Sequence, residues 1–370
     1  MRITDVNINR FRNLIDFNLE LSSGINLFWG ENGHGKTNLL EAIGIILNGD
    51  TPRASRLAEV IPHNSDFARW SIEIDVEDVH HSAECIIKRG EARRIIINGQ
   101  PRKKLPGPDH GVYAISFFPE DFKILTGEPY YRRRFIDEAI LLTEPQYASI
   151  LKKYRDVHDN RNALLKSGHA DDKNLSPYEE ILANLGLEIS RRRASAILEL
   201  DSHLAKLIEN VFDDEVSIKI SYKPSLAPYL NHDNQIKSII DAYRNSRNYD
   251  LSSKRTSIGP HRDDMESDFR GEDIRQYASR GETRLSVVAL IIAKYYMFSS
   301  RWNLSPVVLL DDIFSELDSS RRQKVLRALP QNCQLMITAV DRDLSHKWLE
   351  GLGDVSVFKV VDGKIKVENK

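Results

Sequence analysis

Three short stretches of this chain place residue types at spacings that suit phosphate chemistry. The first, Gly30-Glu31-Asn32-Gly33-His34-Gly35-Lys36-Thr37, has the pattern G-x-x-x-x-G-K-T. Gly30, Gly33 and Gly35 let backbone N–H groups curl around phosphate oxygens. Lys36 reaches the β- and γ-phosphates, and the Thr37 hydroxyl is placed to ligate Mg²⁺. The second, Asp311-Asp312, closes the apolar run Val307 to Leu310. Two carboxylates at the carboxyl end of a buried strand are costly unless a cation or a reacting group uses them. In a phosphate-loop enzyme Asp311 would share the Mg²⁺ with Thr37, and Asp312 would orient and deprotonate the attacking water. The bland alternative is a solvated turn. The third, Ser279-Arg280-Gly281-Glu282, stands ahead of the run LSVVALIIA. A small hydroxyl residue, a glycine and a helix N-terminus make an anion site. The same residues would also serve as an ordinary helix N-cap.

These residues need a scaffold of strands and helices. DVNINRF, DFNLELSS and INLFW read as strands, and the glycine loop then leads into an amphipathic helix through TNLLEAIGIIL. WSIEIDVED, ECIIKR and RRIIIN read as antiparallel strands, with a hairpin signal at Asn98-Gly99. GVYAISFF (111–118) is a further strand, and the run at Val307 reads as a central parallel one. From about residue 130 to 212 the helical period dominates. Ile181, Leu185, Ile189, Ile197, Leu204, Ile208 and Val211 are expected on one face of a long helix. Residues 231–257 are mostly polar and read as a return path. The expected organisation is an α/β body, 1–130 and 255–370, interrupted by a helical lobe at 131–254.

A chain of 370 residues with 41% hydrophobic content can bury one large core or two moderate ones. A formal net charge of −2 excludes a globally basic surface, so any nucleic-acid contact must rest on local patches. Cys85 and Cys333 match no metal or disulfide pattern and suit a reducing compartment. The start of the chain has no apolar signal region, and no apolar run approaches the roughly 20 residues of a membrane span. A soluble, cytoplasmic protein is expected.

With these residues in hand, the chain resembles the RecF family of the SMC/ABC-type ATPase superfamily over nearly its full length. NRFRNL, RASRLAEVI, FFPEDFKILTGEPYYRRRFID, YRDVHDNRNALLK, SIGPHRDD and LLDDIFSELD are similar to family blocks. The resemblance implies an ABC/SMC-type P-loop ATPase head with an inserted helical lobe. It implies ATP and Mg²⁺, held by residues 30–37 and by Asp311, with Arg12 approaching the nucleotide. It makes Lys36, Asp312 and Ser279 the catalytic set, and gives Ser279 and Gly281 to the γ-phosphate site of a second copy. An ATP-dependent homodimer on double-stranded DNA and at single-strand/double-strand junctions is implied, with RecR as protein partner. The implied role is helping load recombinase at gaps in recombinational repair and replication restart, with weak DNA-stimulated ATPase activity.

The family's signature Ser-Gln-Gly-Gln is Ser-Arg-Gly-Glu here. No glutamine ends the strand at 111–118, leaving Glu120 or Asp121 for the magnesium-contacting position, and no switch histidine lies in QLMITAVDRD, where Thr338 or Asp341 stands. Both departures suggest slow turnover. Asp312 in place of the usual glutamate leaves open an ATP-binding DNA scaffold without significant hydrolysis. A transporter ATPase subunit and an ATP-dependent nuclease fit less well, the first because of the long helical insertion, the second because it needs an additional nuclease domain and only about 50 residues follow the D-loop, Ser315 to Asp318. Among the basic clusters, Arg89/Arg93/Arg94, Arg132–Arg134, Arg191–Arg193 and Arg102-Lys103-Lys104, the last is the best DNA candidate. It follows a hairpin tip that can reach a phosphate backbone. His261, Asp263 and Asp264 in SIGPHRDD read as structural rather than metal-binding.

Overall fold

The computed structural model describes residues 1–49, 53, 57–76, 79–102, 107, 112–212, 216–231, 233–315, 317–341 and 354–368. Lys103 and Lys104 lie outside them. Alternating side chains build β1 (Arg2–Phe11) and β2 (Leu14–Glu20), and a buried run that is apolar apart from Asn26 builds β3 (Ile25–Trp29). Helix α1 (Lys36–Asn48) follows the glycine loop. Next come β4 (Phe67–Val76), β5 (Val79–Lys88), β6 (Arg94–Ile97), β7 (Gln100–Arg102) and β8 (Ala114–Phe117). Asn98 and Gly99, both at positive φ, make the expected tight turn between β6 and β7.

The middle of the chain holds α2 (Lys123–Thr126), α3 (Pro129–Thr143), α4 (Tyr147–Ser167) and α5 (Asp172–Leu207). Then follow β9 (Ile218–Lys223), α6 (Gln235–Ser253), β10 (Asp264–Phe269), β11 (Glu272–Asp273) and α7 (Ile274–Tyr277). The chain continues with α8 (Arg280–Trp302), β12 (Val307–Leu310), α9 (Ser319–Ala328), β13 (Leu335–Ala339), β14 (Val355–Val361) and β15 (Lys364–Glu368).

The chain divides into two compact units: residues 1–122, 210–212 and 284–370, and residues 123–209 and 213–283. The second unit is thus wider than the span 131–254, because it takes in α2, β10, β11 and α7. In the first unit, β2-β1-β4-β5-β6-β7 form an antiparallel sheet. A second sheet has the order β15-β14-β3-β13-β12-β8, parallel except for β15. Helix α1 and both sheets share one core that includes Phe11, Leu40, Trp70 and Leu309. The glycine loop after β3 and the paired aspartates after β12 therefore stand at the carboxyl ends of the two parallel strands that flank β13, where α/β sheets bind ligands.

In the second unit the polar stretch read as a return path is α6. Its Ile239, Ala242 and Tyr243 are buried, and Asn234 caps its start. The rest of its buried face is a charge, Asp250. On α5 the buried stripe runs through Leu175, Leu182, Ile189, Ala196 and Leu204, while Ile181 is exposed. The stripe also buries Glu179 and Arg193, so hydrophobicity alone misplaces it by part of a turn. No helix among the described residues is long and apolar enough to cross a membrane.

Candidate functional site

The cleft at the ends of β3, β12 and β13 is lined by Asn32, Gly33, Gly35, Lys36, Thr37, Asn38, Arg53, Pro119, Asp311, Asp312 and Thr338. The glycines are needed at two points. A Cβ on Gly30 would lie 2.3 Å from the Val360 carbonyl oxygen, and one on Gly35, at φ 111°, would lie 2.7 Å from Leu14. Lys36 Nζ donates to the carbonyls of Gly30 (2.6 Å) and Glu31 (2.8 Å). Burial holds its pKa below the usual lysine range, against the pull of Asp312 and Asp311. Glu31 and His34 stand beside the cleft rather than lining it; the Glu31 side chain is exposed.

Asp311 is the centre of the polar network. Thr37 Oγ1 lies 2.9 Å from each of its carboxylate oxygens, and Thr338 Oγ1 donates to Oδ1 at 2.7 Å. Burial pushes the Asp311 pKa up, while the bonds from Thr338 and Thr37 hold it down. Asp312 has a left-handed backbone, φ 51°. Its amide donates to Thr338 Oγ1 (2.8 Å), and its carbonyl accepts from Arg284, whose guanidinium also lies over the Phe122 ring. One hydroxyl, from Thr338, thus spaces both aspartates. Of the two candidates for the switch position, Thr338 lines the cleft; Asp341 is exposed.

The donor set suits Mg²⁺ with nucleotide phosphates: a hydroxyl from the first turn of α1 and a carboxylate from the end of β12 are hard oxygens that leave room for phosphate and water oxygens. Sequence reasoning missed Arg53, which lines the cleft, and Glu41, which holds it. Buried Glu41 takes Arg12 in a two-pronged pair (2.7 and 2.8 Å) and Arg53 at 2.9 Å. Arg12 is committed to this pair and does not line the cleft, whereas Arg53 does. At the end of β8, Asp121 accepts from the Phe118 amide (2.7 Å), and Glu120 lies 3.7 Å from Arg53.

In the second unit, Ser279 and Glu282 form a reciprocal capping box at the start of α8. The Ser279 amide donates to Glu282 at 2.8 Å and the Glu282 amide to Ser279 Oγ at 3.3 Å. The pattern S-x-x-E was the signal for it. The other arginine runs are largely structural: Arg132 pairs with Asp264, and Arg193 with Asp137 and Asp263. His261 donates through Nε2 to the Thr256 carbonyl and faces the Tyr154 hydroxyl through Nδ1; burial pushes its pKa down to about 3. It converges on no metal-ligand group among the described residues. Arg102 lies exposed on β7.

Residues 2–364 match the family model described as the RecF/RecN/SMC N terminal domain. The chain is 31% identical to the DNA replication and repair protein RecF of Halothermothrix orenii, covering 99% of this chain and 98% of that one. It is similar, at TM-score 0.85 and 27% identity, to a solved structure of the recombination mediator protein RecF with ATPrS in the RecFOR pathway, covering 100% of this chain and 98% of that chain. An Smc head domain from Pyrococcus furiosus shares the fold at TM-score 0.55 and 15% identity, covering 99% and 95% of the two chains.

Proposed function

The chain belongs to the RecF family of SMC/ABC-type ATPases, and from that premise we propose that it is an ATP-dependent DNA-binding protein of replication and recombinational repair. The observation that carries the reading is the Thr37 hydroxyl set 2.9 Å from both oxygens of Asp311, beside Lys36 and under a glycine loop. Residues 30–37 hold the ATP phosphates, with Thr37 and Asp311 as the protein ligands of Mg²⁺. The metal, when bound, supplies charge neutralisation for the β- and γ-phosphates. Asp312 orients the attacking water and accepts its proton. Arg53 supplies a cation at the cleft, steadied by Glu41.

Ser279 and Gly281 face the γ-phosphate held by a second copy, so ATP closes a homodimer on double-stranded DNA and at junctions. Arg102, Lys103 and Lys104 contact the DNA backbone without reading sequence. RecR is the protein partner in recombinase loading, and the compartment is the cytoplasm. Asp312 is one methylene shorter than a glutamate, which favours slow turnover; the second reading is an ATP-binding DNA scaffold that does not hydrolyse.

Mixing two inactive variants tests the composite site. Lys36→Ala and Ser279→Arg each break both sites of a homodimer. A cross-linked heterodimer restores one intact pair, so DNA-stimulated phosphate release above either parent is expected. No gain removes Ser279 from a partner's site and leaves it a helix cap. A wild type that binds DNA with ATP but releases no phosphate establishes the scaffold instead.

A further inference from the structure

Amides of a glycine loop can face phosphate only when the loop's carbonyls are held elsewhere. In a planar trans peptide the C=O of one residue and the N–H of the next point in opposite directions. Pinning a carbonyl therefore aims the following amide. Four carbonyls of this loop are pinned. Lys36 Nζ takes those of Gly30 and Glu31, which aims the amides of Glu31 and Asn32. The other two pins come from outside the loop. Asn13 Nδ2 donates to the Gly33 carbonyl at 3.1 Å, which aims the His34 amide. The Gly363 amide donates to the His34 carbonyl at 3.0 Å, which aims the Gly35 amide.

The two outside donors sit on turns, Arg12–Asn13 between β1 and β2, and Asp362–Gly363 between β14 and β15. They touch each other: a Cβ on Gly363, at φ 75°, would lie 1.9 Å from the Asn13 carbonyl oxygen. Asn38 Nδ2 donates to Asn13 Oδ1 at 2.8 Å, which turns the Asn13 amide nitrogen toward Gly33. The Asp362 amide donates to His34 Nδ1 at 2.9 Å, which keeps the hairpin tip against the loop.

We propose that the β14–β15 tip and the β1–β2 turn form a brace that pre-sets the phosphate-facing amides, with Asn13 and His34 as positioning residues for the nucleotide. The proposal rests on reading the cleft as an ATP site. The brace acts on the loop, not on the γ-phosphate, so it serves ATP and ADP alike. His34 works through one acceptor atom, and asparagine places Oδ1 where histidine has Nδ1.

Equilibrium binding of ATP and of ADP to the full chain, alongside melts of the nucleotide-free proteins, tests this. His34→Leu and Asn13→Ala are expected to weaken both nucleotides about three- to tenfold, the scale of one hydrogen bond, at an unchanged melting temperature. His34→Asn is expected to recover most of the loss. Wild-type affinity in both His34→Leu and Asn13→Ala overturns the brace, as does a His34→Asn protein no better than His34→Leu. A loss of affinity that only tracks a fall in melting temperature overturns it too. A wild type that binds neither nucleotide overturns the ATP reading itself, and the brace with it.

Discussion

The cleft of the first unit and the interior of the second both bury carboxylates beside cations, and they solve the problem in opposite ways. In the second unit, Arg161, Glu179 and Asp250 are fully buried and bonded to one another: Arg161 reaches Asp250 at 2.7 Å and Glu179 at 3.1 Å, and Arg247 takes both oxygens of Glu179. Arg193 likewise spends its guanidinium on Asp137, Asp263 and the Pro260 carbonyl. In the cleft, Asp311 is also buried, but among the described residues its carboxylate receives hydroxyl donors, from Thr37 and Thr338, and burial keeps its pKa raised. Charge matched by opposite charge reads as scaffold. Charge left to hydroxyls, beside a lysine whose nearest bonds are to carbonyls, reads as a place kept for a ligand.

The comparison breaks first at Arg161. Removing one partner of a buried ion network strands the others, so Arg161→Ala is expected to cost about 3–5 kcal/mol in urea unfolding, with the nucleotide affinity of the folded protein unchanged. A cost below about 1 kcal/mol would mean that water already reaches the network.

The next effect belongs to Lys36. Losing a charge-assisted contact to phosphate is expected to weaken ATP about 10- to 100-fold in Lys36→Ala, or roughly 1.5–3 kcal/mol. Titration calorimetry reads this directly. Unchanged ATP affinity would place the phosphates elsewhere.

The smallest effect sharpens the contrast. Because burial raises the Asp311 pKa in the folded chain, the folded state disfavours the charged form. Asp311 therefore costs nothing below its unfolded pKa of about 3.9, and its cost grows as pH rises from there through the raised folded value. Nucleotide-free Asp311→Asn is expected to match wild type below about pH 4 and to exceed its stability at neutral pH by about 0.5–2 kcal/mol, while losing Mg²⁺-dependent ATP binding. Melts across pH decide it. A variant less stable than wild type at neutral pH would show that the Thr37 and Thr338 bonds outweigh burial, making the aspartate a structural group.

What the sequence determined by itself is local. The glycine loop, the apolar strand before Asp311, the turn at Asn98-Gly99 and the S-x-x-E start of α8 each follow from interactions spanning a few residues, and each stands where the pattern puts it. Helix α6 escaped because its buried face includes Asp250, whose partner Arg161 is 89 residues away. Only the tertiary structure decided which arginines are scaffold, since a run such as Arg132–Arg134 looks the same whether or not Asp264 comes to meet it. It also decided that Thr338 joins Asp311 to Asp312, that Glu41 holds Arg53 at the cleft, and that Gly363 closes on the loop at His34. The physical reason is sequence separation. Periodicity and backbone preference leave a mark within a turn or two of chain, whereas a hydrogen bond between residues 34 and 363 leaves none until the sheet brings β3 and β14 side by side.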